Sequence, residues 1–154
     1  MIKTSNSFFT NEELLDIGFK KIGMNVLISR KTSIYSAENI SIGDNVRIDD
    51  FTILSASGGS IDIKNHIHIA AFCNLIGKGG IVMDDYSGLS SRVSLYSATD
   101  DFSGNYLIGP IMEESCINVI TGRIMLGKYC QVGTNSSIFP NVVLGEGALL
   151  GAQS

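Results

Sequence analysis

Positive charge is scarce: eleven Lys and Arg against fifteen Asp and Glu give a net charge of −4 and a pI near 5.0. That balance excludes a nucleic-acid or anionic-membrane surface, which needs clustered Lys and Arg to meet phosphate. The pairs Lys20–Lys21 and Arg30–Lys31 stand alone and read as solvated surface. No apolar run approaches the roughly 18 residues of a membrane span. The opening Met-Ile-Lys-Thr-Ser-Asn-Ser has no signal-peptide core. Three cysteines without Cys-x-x-Cys spacing argue against a disulfide framework and against a zinc site. The chain therefore reads as a soluble, cytoplasmic protein with reduced thiols. At 154 residues it is one domain able to bury a core.

What is abundant is aliphatic, and it is periodic. Ile, Leu, Val or Met recurs at 22, 28, 34, then 42, 48, 54, then 63, 69, 75, then 83, 89, 95. After a gap the series resumes at 126, 132, 138 and ends at 144, 150. The residue after each is mostly small or acidic (Gly23, Gly43, Asp49, Ala70, Ser90, Gly127, Gly133). Four residues after each comes a small or β-branched one, such as Val46, Thr52, Cys73, Ser87 or Cys130. A helix needs apolar spacings of three and four, and a half-buried strand needs strict alternation. A period of six, with extra residues only after every third repeat, predicts a three-sided coil of short strands. Each side turns one aliphatic residue inward, stacked on its equivalent one coil away at about 1.5–3 kcal/mol per buried side chain. The corners are expected to use small residues that tolerate tight or left-handed backbone.

Ahead of the repeat, residues 8–18 predict a short helix. Thr10 is its N-cap, Glu13 completes a capping box, Leu14 and Ile17 share a face, and Gly18 follows at the C′ position. The expected organisation is a capping segment over 1–21 and a repeat domain over 22–154. Residues 100–118 form the one long excursion, with the aromatic and aliphatic content of a packed, functional loop. The last coil supplies Leu144 and Leu150 but no third side. Either a partner covers that end or the protein continues beyond Ser154.

Ile-Gly-Asp-Asn-Val at 42–46, Leu-Gly-Lys-Tyr-Cys-Gln-Val-Gly at 126–133 and Leu-Gly-Glu-Gly-Ala-Leu-Leu-Gly-Ala at 144–152 resemble the hexapeptide-repeat acyltransferases. The nearest branch is the sugar O-acetyltransferases related to maltose and galactoside acetyltransferase, and the resemblance spans about residues 22–152. It implies an all-β, left-handed parallel β-helix, a homotrimer, acetyl-CoA as donor, and active sites in grooves between subunits. The implied reaction acetylates a hydroxyl or amine of a sugar, polysaccharide precursor or sugar nucleotide. The sequence departs from that branch where its catalytic histidine follows a segment like Leu95-Tyr-Ser-Ala-Thr99, because Asp100 stands there. The C-terminal stretch with which that branch contacts coenzyme A and closes its coil is also missing.

Acyl transfer from a thioester needs a base for the acceptor's proton and a donor for the oxyanion. The only histidines, His66 and His68, both point outward by the phase of the repeat. His68 sits at the phase of the His-x-Ala-His-like stretch that holds active-site histidines in some relatives, with Ala71 three positions on. His68 and Asp100 are the candidate catalytic residues; His66, Asp101 and Tyr106 are candidate acceptor contacts. The resemblance places the pantetheine arm of acetyl-CoA at Gly133, Thr134, Gly151 and Ala152, although the repeat by itself also calls for small residues there. No metal is expected, since a zinc β-helix site needs three histidines. The alternative is a non-catalytic β-helix that serves as a scaffold or binding protein.

Overall fold

The structure, a computed structural model, describes residues 7–154. Residues 1–6, which hold the start of the expected capping segment and most of the stretch read for a signal peptide, lie outside the described residues.

The chain winds through three parallel sheets in turn. The first face stacks Lys21–Ile22, Ile40–Ile42, Ile61–Ile63, Ile81–Met83, Ile124–Leu126 and Val143–Leu144. The second stacks Leu27–Ile28, Arg47–Ile48, His68–Ile69, Gly88–Leu89, Gln131–Val132 and Leu149–Leu150. The third stacks Ser33–Tyr35, Ile53–Ser55, Asn74–Ile76, Ser94–Tyr96 and Ser137–Ile138. Successive strands always pass to the next face, which makes the expected parallel β-helix, and its six-residue repeat is that of the left-handed form, an exception to the right-handed crossover rule.

The periodic aliphatics are the core. Ile48, Ile69, Leu89 and Val132 lie in direct register down the second face, and Leu54, Leu75, Leu95 and Ile138 down the third. All eight are buried; only the end residues Ile22, Ile34, Leu144 and Leu150 are partly open. Cys73 and Cys130 are buried among them, and burial pushes the Cys73 thiol up to about 11. Both are core thiols rather than nucleophiles.

The corners differ from expectation. Left-handed backbone falls three residues after an inward aliphatic, on Asn25, Asn45, His66, Tyr86 and Tyr129 at one corner and Phe51, Phe72, Arg92, Asn135 and Gln153 at the next. Stacking between coils offsets the conformational cost there: Asn25 bonds Asn45, His66 lies flat on Tyr86, and Tyr86 lies on Tyr129. The glycines that follow the inward aliphatics have another purpose, close approach. A Cβ on Gly43 would sit 2.5 Å from Asn65 Oδ1, and one on Gly133 2.5 Å from the Ala152 nitrogen. The third corner carries the insertions, as the spacing predicts. It holds a 3-10 turn at Ala37–Asn39, and a hairpin in which Ala98–Asp100 pairs antiparallel with Val119–Thr121 at the base of the long loop.

At the N-terminal end the capping box closes a helix over Asn11–Asp16, Gly18 follows at φ 85°, and Leu14 drops into the open coil. Arg30 grips Glu13 through two hydrogen bonds of 2.9 and 2.6 Å. Phe9 N–H donates to the Ile28 carbonyl, and Arg30 N–H to that of Ser7. This antiparallel strip covers the edge of the second face. Among the described residues no helix is long and apolar enough to cross a membrane.

Candidate functional site

On the second face each strand is two residues long, the first outward and the second inward. The parallel register therefore builds an outward ladder of Arg47, His68, Gly88, Gln131 and Leu149. Asp49, at the end of the Arg47 strand, folds back between the rungs. His68 Nε2 lies 2.7 Å from Asp49 Oδ2, and Arg47 Nε donates to Asp49 Oδ1 at 2.7 Å. Burial pushes the Asp49 carboxyl up, but the hydrogen bonds from His68 and Arg47 outweigh it and hold the group below its ordinary value of 3.8. An ionised Asp49 fixes Nε2 as the protonated nitrogen and leaves Nδ1 with its lone pair free.

The depressed carboxyl carries a stability signature. Between its folded value and 3.8 the unfolded chain binds more protons. Asp49 therefore stabilises the fold above that window, and the contribution is lost as pH falls through the folded value. Urea titrations from pH 6 downward are expected to show a steeper acid loss of stability in the native chain than in Asp49→Asn. Parallel curves would mean that the carboxylate is not held by His68 and Arg47.

Gly88 is what opens the ladder. A Cβ there would fall 2.5 Å from Gln131 Oε1, because the Gln131 side chain folds across Gly88 and donates from Nε2 to the Tyr86 carbonyl at 3.1 Å. The space left beside His68 is a recess of about 320 Å3 lined by His68, Ala70, Leu89, Ser90, Ser91 and Gln131. Among the described residues the hydroxyls of Ser90 and Ser91 have no intramolecular partner. An imidazole with a free lone pair, two free hydroxyls and a carboxamide thus face one hollow. That set can take a proton and donate hydrogen bonds to a carbonyl.

The other expected residues divide. The Thr134 hydroxyl donates to the Ser91 carbonyl at 2.6 Å, and Gly133 packs on the backbone of Gly151 and Ala152. All four thus lie in the coils directly beyond the recess. His66 sits at the neighbouring corner, its ring stacked on Tyr86 at 4.7 Å. Asp100 is half-buried at the end of its hairpin strand, on the third corner, away from the recess in the same chain. Asp101 accepts from Ser103 N–H and Asn118 Nδ2. Those bonds hold its carboxyl below the ordinary range, the Ser103 backbone foremost, and tie the loop's two ends. Tyr106 is exposed in that loop. Sequence reasoning missed Asp49, Arg47, Ser90, Ser91 and Gln131 as site residues. The signal was there in coil arithmetic, since Asp49 precedes His68 by one coil.

No protein-family model matches the sequence. The chain is 47% identical over 142 residues to dTDP-4-amino-4,6-dideoxy-D-glucose acyltransferase of Escherichia coli, covering 92% of this chain and 74% of that protein. Its fold superimposes with a TM-score of 0.91 on AntD, an N-acyltransferase from Bacillus cereus solved with dTDP-4-amino-4,6-dideoxyglucose and coenzyme A. The two are 52% identical over 96% of this chain and 78% of that one. The same enzyme solved with dTDP and 3-hydroxybutyryl-CoA gives 0.91 at 53% identity, covering 96% and 77%. With the repeat, the handed coil and this identity over most of both chains, the chain belongs to the hexapeptide-repeat, left-handed β-helix acyltransferases.

Proposed function

We propose that the chain moves an acyl group from an acyl-CoA, acetyl-CoA being the simplest donor, to the amine of a dTDP-linked amino sugar. The observation that carries this reading is the likeness, at about half identity, to enzymes named for that acceptor and solved with coenzyme A. The recess suits the chemistry. The neutral amine attacks the thioester carbonyl while His68 Nδ1 takes the nitrogen's proton. Ser90 or Ser91 donates to the oxyanion, the C–N bond forms as the C–S bond breaks, and the proton passes to the departing thiolate. Gly133, Thr134, Gly151 and Ala152 lie where the pantetheine arm reaches the recess from the later coils. Residues 1–21 act as the cap of a β-helix over 22–154, and the enzyme works where acyl-CoA is made, in the cytoplasm.

A homotrimer completes this site. The loop between Asp100 and Asn118 exposes Phe102, Leu107, Ile108 and Ile111, apolar surface suited to a neighbouring subunit's groove. Docked there, the loop would bring Asp100, and with it Asp101 and Tyr106, to the acceptor. In the Bacillus cereus structures the replaced residues are a serine and, ten positions on, an aspartate. Ser90 and Asp100 stand at that spacing here, as do Ser91 and Asp101. In this reading Asp100 holds the acceptor's amine, and His66 contacts the acceptor from the adjacent corner.

Thiol release from acetyl-CoA and 3-hydroxybutyryl-CoA, measured with a dTDP-4-amino sugar, its 4-hydroxy counterpart and free maltose, separates the readings. Turnover confined to the amino sugar nucleotide is expected. Turnover of free maltose, or no turnover with any acceptor and no coenzyme A binding, would sink the proposal; the second result would favour a scaffold.

A further inference from the structure

The outward ladder of the second face has one rung without a side chain. Leu27, Arg47, His68, Gln131 and Leu149 are all exposed there, whereas Gly88 is buried. The backbone does not ask for glycine at that position. Gly88 is not among the glycines of positive φ, and its neighbours in the ladder hold long side chains on the same kind of two-residue strand. What covers Gly88 is the Gln131 side chain, which lies back across it from the next coil. A Cβ on Gly88 would meet the whole carboxamide, with Oε1 at 2.5 Å, Nε2 at 3.2 Å and Cδ at 3.3 Å.

The carboxamide is held in that place. Its Nε2 donates to the Tyr86 carbonyl at 3.1 Å. Tyr86 is itself fixed, because its ring stacks on those of His66 and Tyr129, at centroid distances of 4.7 and 5.4 Å. Its N–H also donates to the Asn65 carbonyl at 3.0 Å. Moving Gln131 therefore costs a hydrogen bond to an anchor that cannot follow it.

Gln131 stands between the two halves of the proposed chemistry. His68 lies two coils before it, roughly 10 Å away at about 4.8 Å per coil. Gly133 and Thr134, at the proposed pantetheine arm, follow it in its own coil. An acyl group delivered to His68 along this face passes the Gly88 rung, the space that the carboxamide fills. The recess around it offers little apolar surface, since Leu89 is only 2% exposed and Ala70 is its other apolar lining residue. A long aliphatic tail would meet a polar wall and would have to break the bond from Gln131 to Tyr86. We propose that Gln131, laid over Gly88, limits the size of the acyl group that the chain transfers. A two-carbon group fits beside the carboxamide, and a longer aliphatic chain must displace it. The inference rests on the acyl-CoA reading of the donor and makes Gln131 a specificity-determining residue rather than a catalytic one.

Thiol release from acetyl-, butyryl- and octanoyl-CoA, with the dTDP-4-amino sugar at saturation, reads the limit. The native chain should favour acetyl-CoA over butyryl-CoA by about tenfold or more in kcat/KM, the usual discrimination for methylenes that do not fit a pocket. Octanoyl-CoA should give no turnover. Gln131→Ala empties the Gly88 rung and should raise the butyryl-to-acetyl ratio of kcat/KM about tenfold. Gly88→Ala drives the carboxamide into the recess and should raise the KM of acetyl-CoA itself. Adding Gln131→Ala to Gly88→Ala should restore it, because the atoms that the new methyl meets most closely are gone. A position that only supports the fold would not show that rescue. An unchanged ratio in Gln131→Ala, or equal loss of acetyl and butyryl turnover, would overturn the limit and leave the acceptor reading standing. So would octanoyl-CoA turning over as fast as acetyl-CoA in the native chain. Thermal melting checks each fold; if Gln131→Ala does not fold, Gly88→Ala decides, and an unchanged KM for acetyl-CoA overturns the proposal. If the native chain acylates the amino sugar with none of the three donors, the donor reading and the limit fall together.

Discussion

Leu75→Ala is expected to lower the unfolding free energy by about 2–5 kcal/mol, the range for emptying a buried leucine site that cannot collapse. Leu75 has no exposed surface and lies in register between Leu54 and Leu95, in the middle of the third face. A β-helix is close to one-dimensional, so each coil is stabilised mainly by the two it touches. Deletion at mid-stack weakens both contacts at once, and the backbone hydrogen bonds of the neighbouring rungs resist inward movement. Leu149→Ala is the comparison. It removes the same atoms from a side chain that is 77% exposed on the last strand of the second face, and a change within about 0.5 kcal/mol is expected. Urea unfolding of both variants at one protein concentration makes the measurement, since assembly shifts apparent stability. Equal losses would mean that stability does not follow the stack.

Much of the fold was legible because six-residue spacing has few physical solutions. Every member of the six-residue series from Ile42 to Leu95, and again from Leu126 to Ile138, is in the buried register that the spacing predicts. The insertion corner was equally plain, since extra residues can leave only where the coil opens. The corner chemistry was not. Gly43 and Gly133 were legible as small corner residues, but their reason is close approach between coils, and the left-handed positions hold His66, Phe72 and Tyr86. Their cost is offset by stacking on equivalents about twenty residues away or more, which local spacing does not show. The site was half legible for the same reason. His68 stood out as a rare residue at the right phase, but its partner Asp49 lies a full coil earlier in the chain. Nothing local distinguishes Asp49 from the other small or acidic residues that follow an inward aliphatic. Asp100 is harder still. Its hairpin stands apart from the recess of its own chain, so spacing along the chain does not join the two.

His68→Ala is expected to cut kcat for amine acylation by about 100-fold or more, the usual worth of a positioned base, with little change in the KM of acyl-CoA. The reason lies in the arrangement around the ring. Asp49, itself held by Arg47, engages Nε2, and the Nδ1 lone pair is left to a ring that lines the recess together with Ser90 and Ser91. The imidazole is outside the core and, among the described residues, hydrogen-bonded only to Asp49, so its removal should leave the coil intact, as size-exclusion chromatography would check. Asp49→Asn leaves the ring in place but reverses the donor pattern at Nε2. An amide that donates there favours the tautomer protonated at Nδ1, and kcat should fall with it even at a pH where stability is unchanged. Asp100→Asn separates the two carboxylates. If Asp100 holds the amine, its loss appears mainly in the KM of the amino sugar; if it is the base, its loss appears in kcat and His68→Ala turns over normally. The second pattern would transfer the base to Asp100 of a neighbouring subunit. It would leave His68, Asp49 and Arg47 as a structural clasp between the second and third coils, whose deletion shows in acid stability and not in rate.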